Sequence, residues 1–343
     1  MKTAFIIGTL CVLAIPLSFC TNKGIENNEP RPLIGYQIIA DHTVVDEYDK
    51  IPQEYINKVK EMYLIVLGES HSLGYRDGLL LLEDINSSYD VNVSYTTPEV
   101  YSSSHLRFSR LAWGDYNNLT GWVSSYGEED WWTTSTAISR TKAGISYNNE
   151  TYGSQISAIG FAWCSDLTAG IYSTSYDPEF GCRWSGVTVN GPEGSRPWGL
   201  DGGDYSITGN SVNLDTYLSA TQSYIDYCVE KGYQTKVFFT TGPVDDDSSW
   251  EGEDGYQGHL KHEKIRVYVE SDSTRILFDY ADILCYNDAG QASTTTWNGN
   301  TYPDIHPDNM GGDGTGHIGS VGAIRLGKAM WWMLARIAGW DGK

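Results

Sequence analysis

The stretch Tyr63-Leu64-Ile65-Val66-Leu67-Gly68-Glu69-Ser70 sets the expected architecture of this chain. Five consecutive apolar residues that end at a glycine predict a short strand buried on both faces, as in a parallel sheet. Just before it, apolar residues at Ile51, Tyr55 and Val59 recur every four positions. This spacing predicts an amphipathic helix over about 51–61 that leads into the strand.

Downstream, helical and strand-like patterns alternate. Helices are predicted over about 78–86, 214–231, 259–269 and 320–338, and strands over 157–163, 236–240 and 276–279. This alternation predicts an α/β fold, a three-layer α/β/α sandwich around a mainly parallel sheet, flavodoxin-like in type. The middle of the chain, 89–213, is rich in Gly, Ser, Asn, Tyr and Trp, and it is expected to form long loop insertions at one edge of the sheet.

The N-terminus predicts export. Lys2 precedes an apolar stretch, 4–17, that is too short to span a bilayer comfortably and that indicates a signal peptide over residues 1–20. Residues 21–31 are then expected to form a flexible polar tether, and residues 32–343 a single domain. The protein is therefore expected outside the cytosol.

The signal peptide ends in Leu17-Ser18-Phe19-Cys20, which resembles a bacterial lipobox. The resemblance implies that Cys20 is lipidated and holds the protein at the cell envelope, in the periplasm or on the outer-membrane surface. Phe19 departs from that motif, which usually has a small residue before the cysteine. Simple secretion with cleavage near Cys20 is the alternative.

The charge balance excludes two classes of partner. The chain has 44 acidic and 23 basic residues and a formal net charge of −21 at pH 7. A chain this acidic is repelled by nucleic acid and by anionic lipid, so no nucleic-acid partner is expected. Any contact with a membrane should then occur only through a lipid anchor at Cys20.

Four cysteines lie beyond the lipobox: Cys164, Cys182, Cys228 and Cys285. An exported protein can hold one or two disulfides, and Cys164 and Cys182 are the closest pair in sequence. The chain has no Cys-x-x-Cys and no His/Cys ligand spacing, so a structural zinc is not expected and no metal site is predicted. Cys228 lies on the apolar face of a predicted helix and is expected to be a buried free thiol.

The predicted strand leads into the candidate nucleophile. A serine on the turn between a buried strand and a helix N-terminus is well placed to attack a carbonyl, and backbone N–H groups there can hold an oxyanion. A helix N-cap is the alternative role for Ser70. The block Gly68-Glu69-Ser70 followed by Gly74 resembles the first block of the SGNH (GDSL-type) hydrolases, with Glu69 in place of aspartate.

The other end of the chain carries a second block. Asp313-Gly314-Thr315-Gly316-His317, followed by Gly322 and the last helix, resembles the final block of the same family. The resemblance implies that His317 is the catalytic base. The family usually has its aspartate three residues before the histidine, where this chain has Gly314, so Asp313 and Asp304 are both candidates for the acid that orients the imidazole.

The resemblance also implies two oxyanion donors beyond the Ser70 N–H. Gly114 matches a glycine expected after the second strand, but the segment 160–166 lacks the asparagine expected after the third. The phrases at 126–130, 239–245 and 329–340 are similar to those of a group of exported proteins of Bacteroidetes type. That similarity extends from about residue 51 to the C-terminus.

These features together predict an exported serine esterase that removes acyl groups, most plausibly acetyl groups, from a carbohydrate through Ser70, His317 and Asp313. No cofactor is needed for this chemistry. Many tryptophans fall in predicted loops, and Trp131, Trp132 and Trp163 are taken as the residues that stack on sugar rings, although core packing explains such aromatics equally well.

Two other functions and one other kind of site remain open. A non-catalytic glycan-binding lipoprotein with the same fold is the main alternative, favoured by the missing asparagine and the displaced aspartate. A glycosidase that uses Glu128 or Glu129 is the second, although adjacent carboxylates generally point apart. The acidic run 245–247 has the oxygen ligands that calcium prefers, but a solvated loop is the preferred interpretation.

Overall fold

The computed structural model describes most of the chain after residue 36. The described residues are 37–68, 71–94, 100–109, 130–133, 135–152, 155–163, 176–177, 182–183, 214–244, 252–311 and 317–343. They all belong to one compact unit, Leu33–Lys343. The predicted signal peptide, Cys20 and the tether lie outside the described residues. Among the helices that are described, none has the length and hydropathy needed to cross a bilayer.

A seven-stranded parallel sheet forms the centre of the protein. Its strands are β1 (Ile39–Ala40), β2 (Tyr63–Gly68), β3 (Val91–Ser94), β4 (Leu106–Ser109), β5 (Ala158–Ala162), β8 (Lys236–Thr240) and β9 (Ile276–Phe278). Their order is β1-β9-β8-β5-β2-β4-β3, and every neighbouring pair is parallel. Two antiparallel pairs lie outside this sheet: β6 (Tyr176–Asp177) with β7 (Cys182–Arg183), and β10 (Thr294–Trp297) with β11 (Asn300–Pro303).

Helices connect the strands and cover both faces of the sheet. They are α1 (Gln53–Lys60), α2 (Ser72–Ile85), α3 (Asp130–Thr133), α4 (Ser135–Tyr147), α5 (Leu214–Lys231), α6 (Glu253–Glu270), α7 (Tyr280–Cys285) and α8 (Ser320–Ile337). Shorter helical turns cover His42–Lys50, Ser87–Tyr89 and Pro307–Asn309, and a π-helical turn covers Asn148–Tyr152.

The side chains of β2 divide the core into two layers. Leu64 and Val66 pack in a cluster with residues of α1, α2 and α8 on one face of the sheet. Tyr63, Ile65 and Leu67 pack in a second cluster with residues of α4, α5 and α6 on the other face. Because both faces are covered, the strand is apolar at every position, and the predicted α/β/α sandwich is confirmed.

The elements that the sequence predicts outside 89–213 are all present, with ends that differ by a few residues. The expectation of long loops over 89–213 is wrong in part, because this region contributes β3, β4 and α4 as well as β5. Helix α4 was not apparent in the sequence because its buried positions are mostly small or polar: Ala137, Thr141, Gly144 and Ile145. Their helical spacing is correct, but they add little hydrophobic signal.

Helices α2 and α8 cross in backbone contact. A Cβ placed on Gly78 would lie 1.9 Å from the carbonyl oxygen of Ala323, and one on Gly327 would lie 2.4 Å from the carbonyl oxygen of Gly78. One turn earlier, a Cβ on Gly74 would lie 3.1 Å from the side chain of Ile318. The two helices therefore begin beside each other, and the segments that lead into them are brought together from opposite ends of the chain.

Candidate active site

The turn after β2 requires glycine at position 68. Gly68 has φ of +123°, a conformation that L side chains rarely adopt. It also pairs with Ala162 of β5, and a Cβ on Gly68 would lie 1.9 Å from the carbonyl oxygen of that residue. Glu69 and the predicted nucleophile Ser70 lie outside the described residues, between the end of β2 and His71, the residue that precedes α2.

His317, the predicted base, is exposed and has a left-handed backbone. Its φ is +63°, and among the described residues only Asn298 is another non-glycine residue with positive φ. Asn298 sits in the Asn-Gly turn of a hairpin, where this conformation is expected. Histidine is among the residues that adopt this conformation more often than most, and such residues are found at turns and at functional sites.

Asn309 closes the base of the loop that carries His317. Its carbonyl oxygen accepts a hydrogen bond from the Gly319 N–H at 2.7 Å. Its buried side-chain amide donates to the carbonyl oxygens of Leu284 and Tyr286, each at 2.8 Å. A Cβ on Gly322 would lie 2.9 Å from the Asn309 carbonyl oxygen, so the close contact between Gly322 and Asn309 requires glycine at position 322.

The two predicted blocks meet at a pair of histidines. The rings of His71 and His317 stack with centroids 4.8 Å apart and an angle of 30° between their planes. His71 is 1% exposed, whereas His317 is exposed. The edge of the Tyr280 ring contacts the His71 ring, with centroids 6.3 Å apart and planes at 82°. The exposed imidazole of His317 therefore lies directly above the residue that follows Ser70.

A buried ion pair fixes the start of α7, which carries Tyr280. Two nitrogens of Arg266 donate to the Asp279 carboxylate at 2.6 and 2.8 Å, and Thr241 donates to the same carboxylate at 2.9 Å. The Thr241 hydroxyl in turn accepts a hydrogen bond from the Ala281 N–H. Burial favours the neutral form of Asp279, but the adjacent Arg266 outweighs it and lowers the pKa of the carboxyl.

Two of the predicted sugar-binding tryptophans are core residues, which corrects that prediction. Trp132 is 0% exposed and donates its indole N–H to Thr221 at 2.9 Å, and Trp163 is 1% exposed and donates to the Thr240 carbonyl oxygen at 3.1 Å. Neither ring presents a face to solvent, so neither can stack on a sugar. The side chain of Trp131 lies outside the described part of the chain.

The strands on either side of β2 are those expected to lead to the oxyanion donors. Strands β4 and β5 both pair with β2 and run parallel to it, so their carboxyl ends lie on the same side of the sheet as the carboxyl end of β2, which leads to Ser70. The residue after β5 is Trp163, whose indole N–H is directed to Thr240 in the core. Gly114, five residues beyond the end of β4, lies outside the described residues.

Most of the remaining candidate residues lie outside the described part of the chain. Asp313 lies outside the described residues, as do Glu128, Glu129 and the acidic run 245–247. Asp304, the other candidate acid, follows β11, and its carboxylate accepts a hydrogen bond from the Ile305 N–H at 2.9 Å.

The described cysteines follow the prediction for Cys228. Cys228 and Cys285 are both free and buried. Burial raises the pKa of the Cys228 thiol to about 11, so it is held as a neutral thiol. Cys164, the cysteine closest in sequence to Cys182, lies outside the described residues.

One group among the described residues has the composition of a metal site: Asp41, His42 and Asp282. Each of its members has a hydrogen-bond partner within the protein. The Nδ1 atom of His42 lies 2.5 Å from Asp282 Oδ2, and the ring stacks on Tyr286 with centroids 3.4 Å apart. The Asp41 carboxylate accepts hydrogen bonds from the N–H and the hydroxyl of Thr43. These contacts account for the arrangement without an ion.

The sequence did not identify Asn309 or Tyr280. Asn309 gave no signal, because it closes the His317 loop through contacts with elements distant in sequence. Tyr280 follows a predicted strand whose carboxyl end lies at the same edge of the sheet as that of β2. This position was the available signal, since ligand sites of α/β proteins concentrate at that edge.

Comparisons with known proteins give only distant similarities. No family model matches the chain, and no curated protein does. Among solved structures, the acetyl xylan esterase AlAXEase is 11% identical with a TM-score of 0.37, over 79% of this chain and 98% of that one. A carbohydrate esterase family 2 enzyme with a carbohydrate-binding domain, from Corynascus thermopiles (Myceliophthora fergusii), is 11% identical with a TM-score of 0.31, over 82% and 67%.

Proposed function

We propose that this protein is a serine esterase that hydrolyses acyl esters, with Ser70 as nucleophile and His317 as general base. One observation carries the proposal. The exposed ring of His317 stacks on His71, the residue bonded to Ser70, although the two histidines come from opposite ends of the chain. The sequence motifs independently assigned these two positions to one reaction, and such a meeting is not expected of unrelated residues.

The reaction follows from ordinary acyl-transfer chemistry. Ser70 Oγ attacks the ester carbonyl carbon while the His317 imidazole takes the hydroxyl proton. Collapse of the tetrahedral intermediate breaks the bond to the leaving alkoxide, which receives that proton and departs as an alcohol. Water, activated by the same imidazole, then releases the acid and restores Ser70.

The neighbouring groups have supporting roles in this proposal. The Ser70 and Gly114 N–H groups hold the oxyanion, and Asp313 or Asp304 orients the imidazole. The left-handed backbone of His317, and the hydrogen bonds of Asn309 that close the base of its loop, fit a histidine held in place for catalysis. The side chain after β5 contributes no donor, because the Trp163 indole points into the core.

We propose an acetylated carbohydrate as the substrate. The predicted signal peptide directs the protein to the envelope or the medium, where polysaccharides are encountered, and Cys20 would anchor it there. Sugar stacking falls to Trp131 and to the tryptophans outside the described residues, since Trp132 and Trp163 are buried.

The test is acetate release from a panel of acetylated polysaccharides that includes acetylated xylan. The purified protein is compared with Ser70→Ala and His317→Ala. We expect either substitution to lower kcat by roughly 10³-fold or more, because the two residues act as one unit. Asp313→Asn and Asp304→Asn, assayed in parallel, should identify the acid by the larger loss.

Two outcomes would favour other functions. Release of reducing sugar that survives Ser70→Ala but not Glu128→Gln or Glu129→Gln would indicate a glycosidase. Folded protein that binds a glycan equally well with and without Ser70, and that releases no acetate, would indicate a glycan-binding lipoprotein. The missing donor after β5 is the feature that favours the second alternative.

A further inference from the structure

We propose that His71 is a positioning residue, a buried aromatic platform that holds the plane of the His317 imidazole. This inference rests on the proposed function of His317 as a base. The two sequence blocks give no role to the residue after Ser70. Here that residue, His71, stacks its ring on the ring of His317.

The platform is the outer end of a column of aromatic rings. Phe278, at the end of β9, contacts the Tyr75 ring with centroids 5.1 Å apart, and Tyr75 contacts Tyr280 at 5.3 Å. Tyr280 meets His71 edge-on at 6.3 Å, and His71 stacks on His317 at 4.8 Å. Phe278, Tyr75, Tyr280 and His71 are at most 2% exposed, so the column is packed on all sides below His317.

Stacking holds an imidazole in a way that suits acid–base chemistry. Contact through the ring face restrains the tilt of His317, yet both ring nitrogens lie on the edge and stay available for hydrogen bonds. A side chain restrained in this way loses less conformational entropy when it takes the proton from serine. His317 needs such support, because it is exposed and lies in a loop.

Two features fix the platform relative to the nucleophile. His71 directly follows Ser70, so the supporting ring and the proposed nucleophile are attached to neighbouring backbone positions. His71 also precedes α2, and its carbonyl oxygen accepts a hydrogen bond from the Gly74 N–H at 3.1 Å in the first turn of that helix. The contact of α2 with α8 at Gly78 then fixes both histidines on one rigid pair of helices.

The test separates the ring of His71 from its nitrogens. His71→Phe keeps an aromatic face without nitrogens, His71→Asn keeps a polar group without a ring, and His71→Ala removes both. The same changes at His105 serve as controls. His105 lies just before β4, at the amino ends of the strands and therefore on the side of the sheet away from the candidate site. Circular dichroism and thermal unfolding establish that each variant is folded before any comparison.

The kinetic readout is the split between kcat and KM for ester hydrolysis. We expect His71→Phe to retain kcat within a few-fold, and His71→Asn and His71→Ala to lose about 10²-fold in kcat with little change in KM. Full activity in His71→Ala would overturn the proposal. An active His71→Asn with an inactive His71→Phe would also overturn it, and so would an equal loss of kcat in all three variants. In either case the aromatic ring of residue 71 would not be what His317 requires.

A spectroscopic readout does not depend on activity. The carbon-bound ring protons of His317 should be shifted upfield by the ring current of residue 71 in the wild type and in His71→Phe. They should move to unstacked positions in His71→Asn and His71→Ala. Unchanged resonances in those two variants would overturn the platform. If Ser70→Ala leaves the activity intact, the esterase proposal fails, whereas this measurement still decides whether the rings stack.

Discussion

The imidazole of His42 lies between two carboxylates at the edge of the sheet. Burial opposes its charged form, but the hydrogen bond to Asp282 and the charges of Asp282 and Asp41 outweigh burial and the nearby Arg325, and they raise the pKa of His42. A histidine whose pKa is raised in the folded state binds its proton more tightly there than in the unfolded chain. Protonation of His42 therefore stabilises the fold.

The contribution of His42 should depend on pH. It is fully present below the unfolded pKa of about 6.5 and is lost as the pH rises through the higher folded pKa. In urea titrations, Asp282→Asn should lower the free energy of unfolding most near about pH 6, and the difference from wild type should narrow toward about pH 8. Glu47→Gln, which removes an exposed pair with Lys50, is the control. A difference for Asp282→Asn that does not vary with pH would contradict the assignment.

Trp132 should matter for stability and not for substrate binding. Its ring is fully buried, and its N–H donates to Thr221. We expect Trp132→Phe to lower the free energy of unfolding by about 1–3 kcal/mol, through lost volume and a lost hydrogen bond. The KM for a polysaccharide ester should stay the same. An increase in KM at unchanged stability would restore Trp132 as a sugar-binding residue.

At the scale of single residues, the sequence predicted those whose identity is required by the local backbone or by one of the two motifs. Gly68, Gly74 and Gly322 were marked by the two blocks, and each stands where a Cβ would press on a neighbouring strand, helix or loop. The contact of Asn309 with α7 was not predictable, because it depends on where elements distant in sequence meet. The left-handed backbone of His317 was hidden for the same reason.

The element that brings the candidate site together is the crossing of α2 and α8. Both helices carry glycine at the point of contact, where Gly78 and Gly327 lie against each other's backbone. Absence of side chains lets the axes approach closely, so the residues before each helix become neighbours. The position of His317 over His71 is thus a consequence of small residues two turns away from either histidine.

We expect Gly78→Ala to disturb this crossing. Alanine is the better helix former by up to about 1 kcal/mol, but its Cβ would lie 1.9 Å from the carbonyl oxygen of Ala323. The helices must separate, which should lower the free energy of unfolding by about 1–3 kcal/mol in spite of that gain. Asp84→Ala, an exposed change on the same helix, should stay within about 0.5 kcal/mol. A stabilised Gly78→Ala variant would contradict the close crossing.

The elements were predictable in proportion to their length and apolar content. Long amphipathic helices such as α5 and α8 and the apolar strand β2 stand out from the sequence alone. The short edge strands β1 and β3 do not, since two to four residues carry too little pattern. Helix α4 escaped notice because alanine, threonine and glycine fill most of its buried face.

At the scale of the whole molecule, a buried ion pair connects two layers at the carboxyl edge of the sheet. Arg266 of α6 and Asp279 after β9 form a buried pair there, and Thr241 after β8 joins it. The pair links the helical layer of α6 to the strand ends from which α7 begins. The ion pair therefore fixes the position of α6 relative to the start of α7 more than it adds net stability.

Removing one partner should be costly. Asp279→Asn leaves the buried Arg266 guanidinium with the partly exposed Glu263 as its remaining ion-pair partner, and we expect the free energy of unfolding to fall by about 3 kcal/mol. The double variant Arg266→Met with Asp279→Asn, which removes both charges, should recover part of that loss. Denaturant unfolding of the three proteins measures both effects. A double variant less stable than Asp279→Asn would show that the pair itself is strongly stabilising.

The alternation of strands and helices was sufficient to predict the layered sandwich. The strand order was not predictable, because pairing such as that of β1 with β9 joins segments more than two hundred residues apart. Likewise, the motifs indicated that Ser70 and His317 belong to one site, whereas the packing of α2 on α8 that supplies the proximity had to be observed. A candidate site was thus more accessible from the sequence than the packing that brings its parts together.

Covalent labelling by a fluorophosphonate, located by peptide mass spectrometry, tests the central claim most directly. A base-activated serine reacts with such a probe, whereas a helix-capping serine does not. We predict a single adduct on the peptide that contains Ser70, lost in Ser70→Ala and slowed by roughly 10³-fold in His317→Ala, with both variants folded. Absence of an adduct on Ser70, or labelling that proceeds equally without His317, would contradict the account.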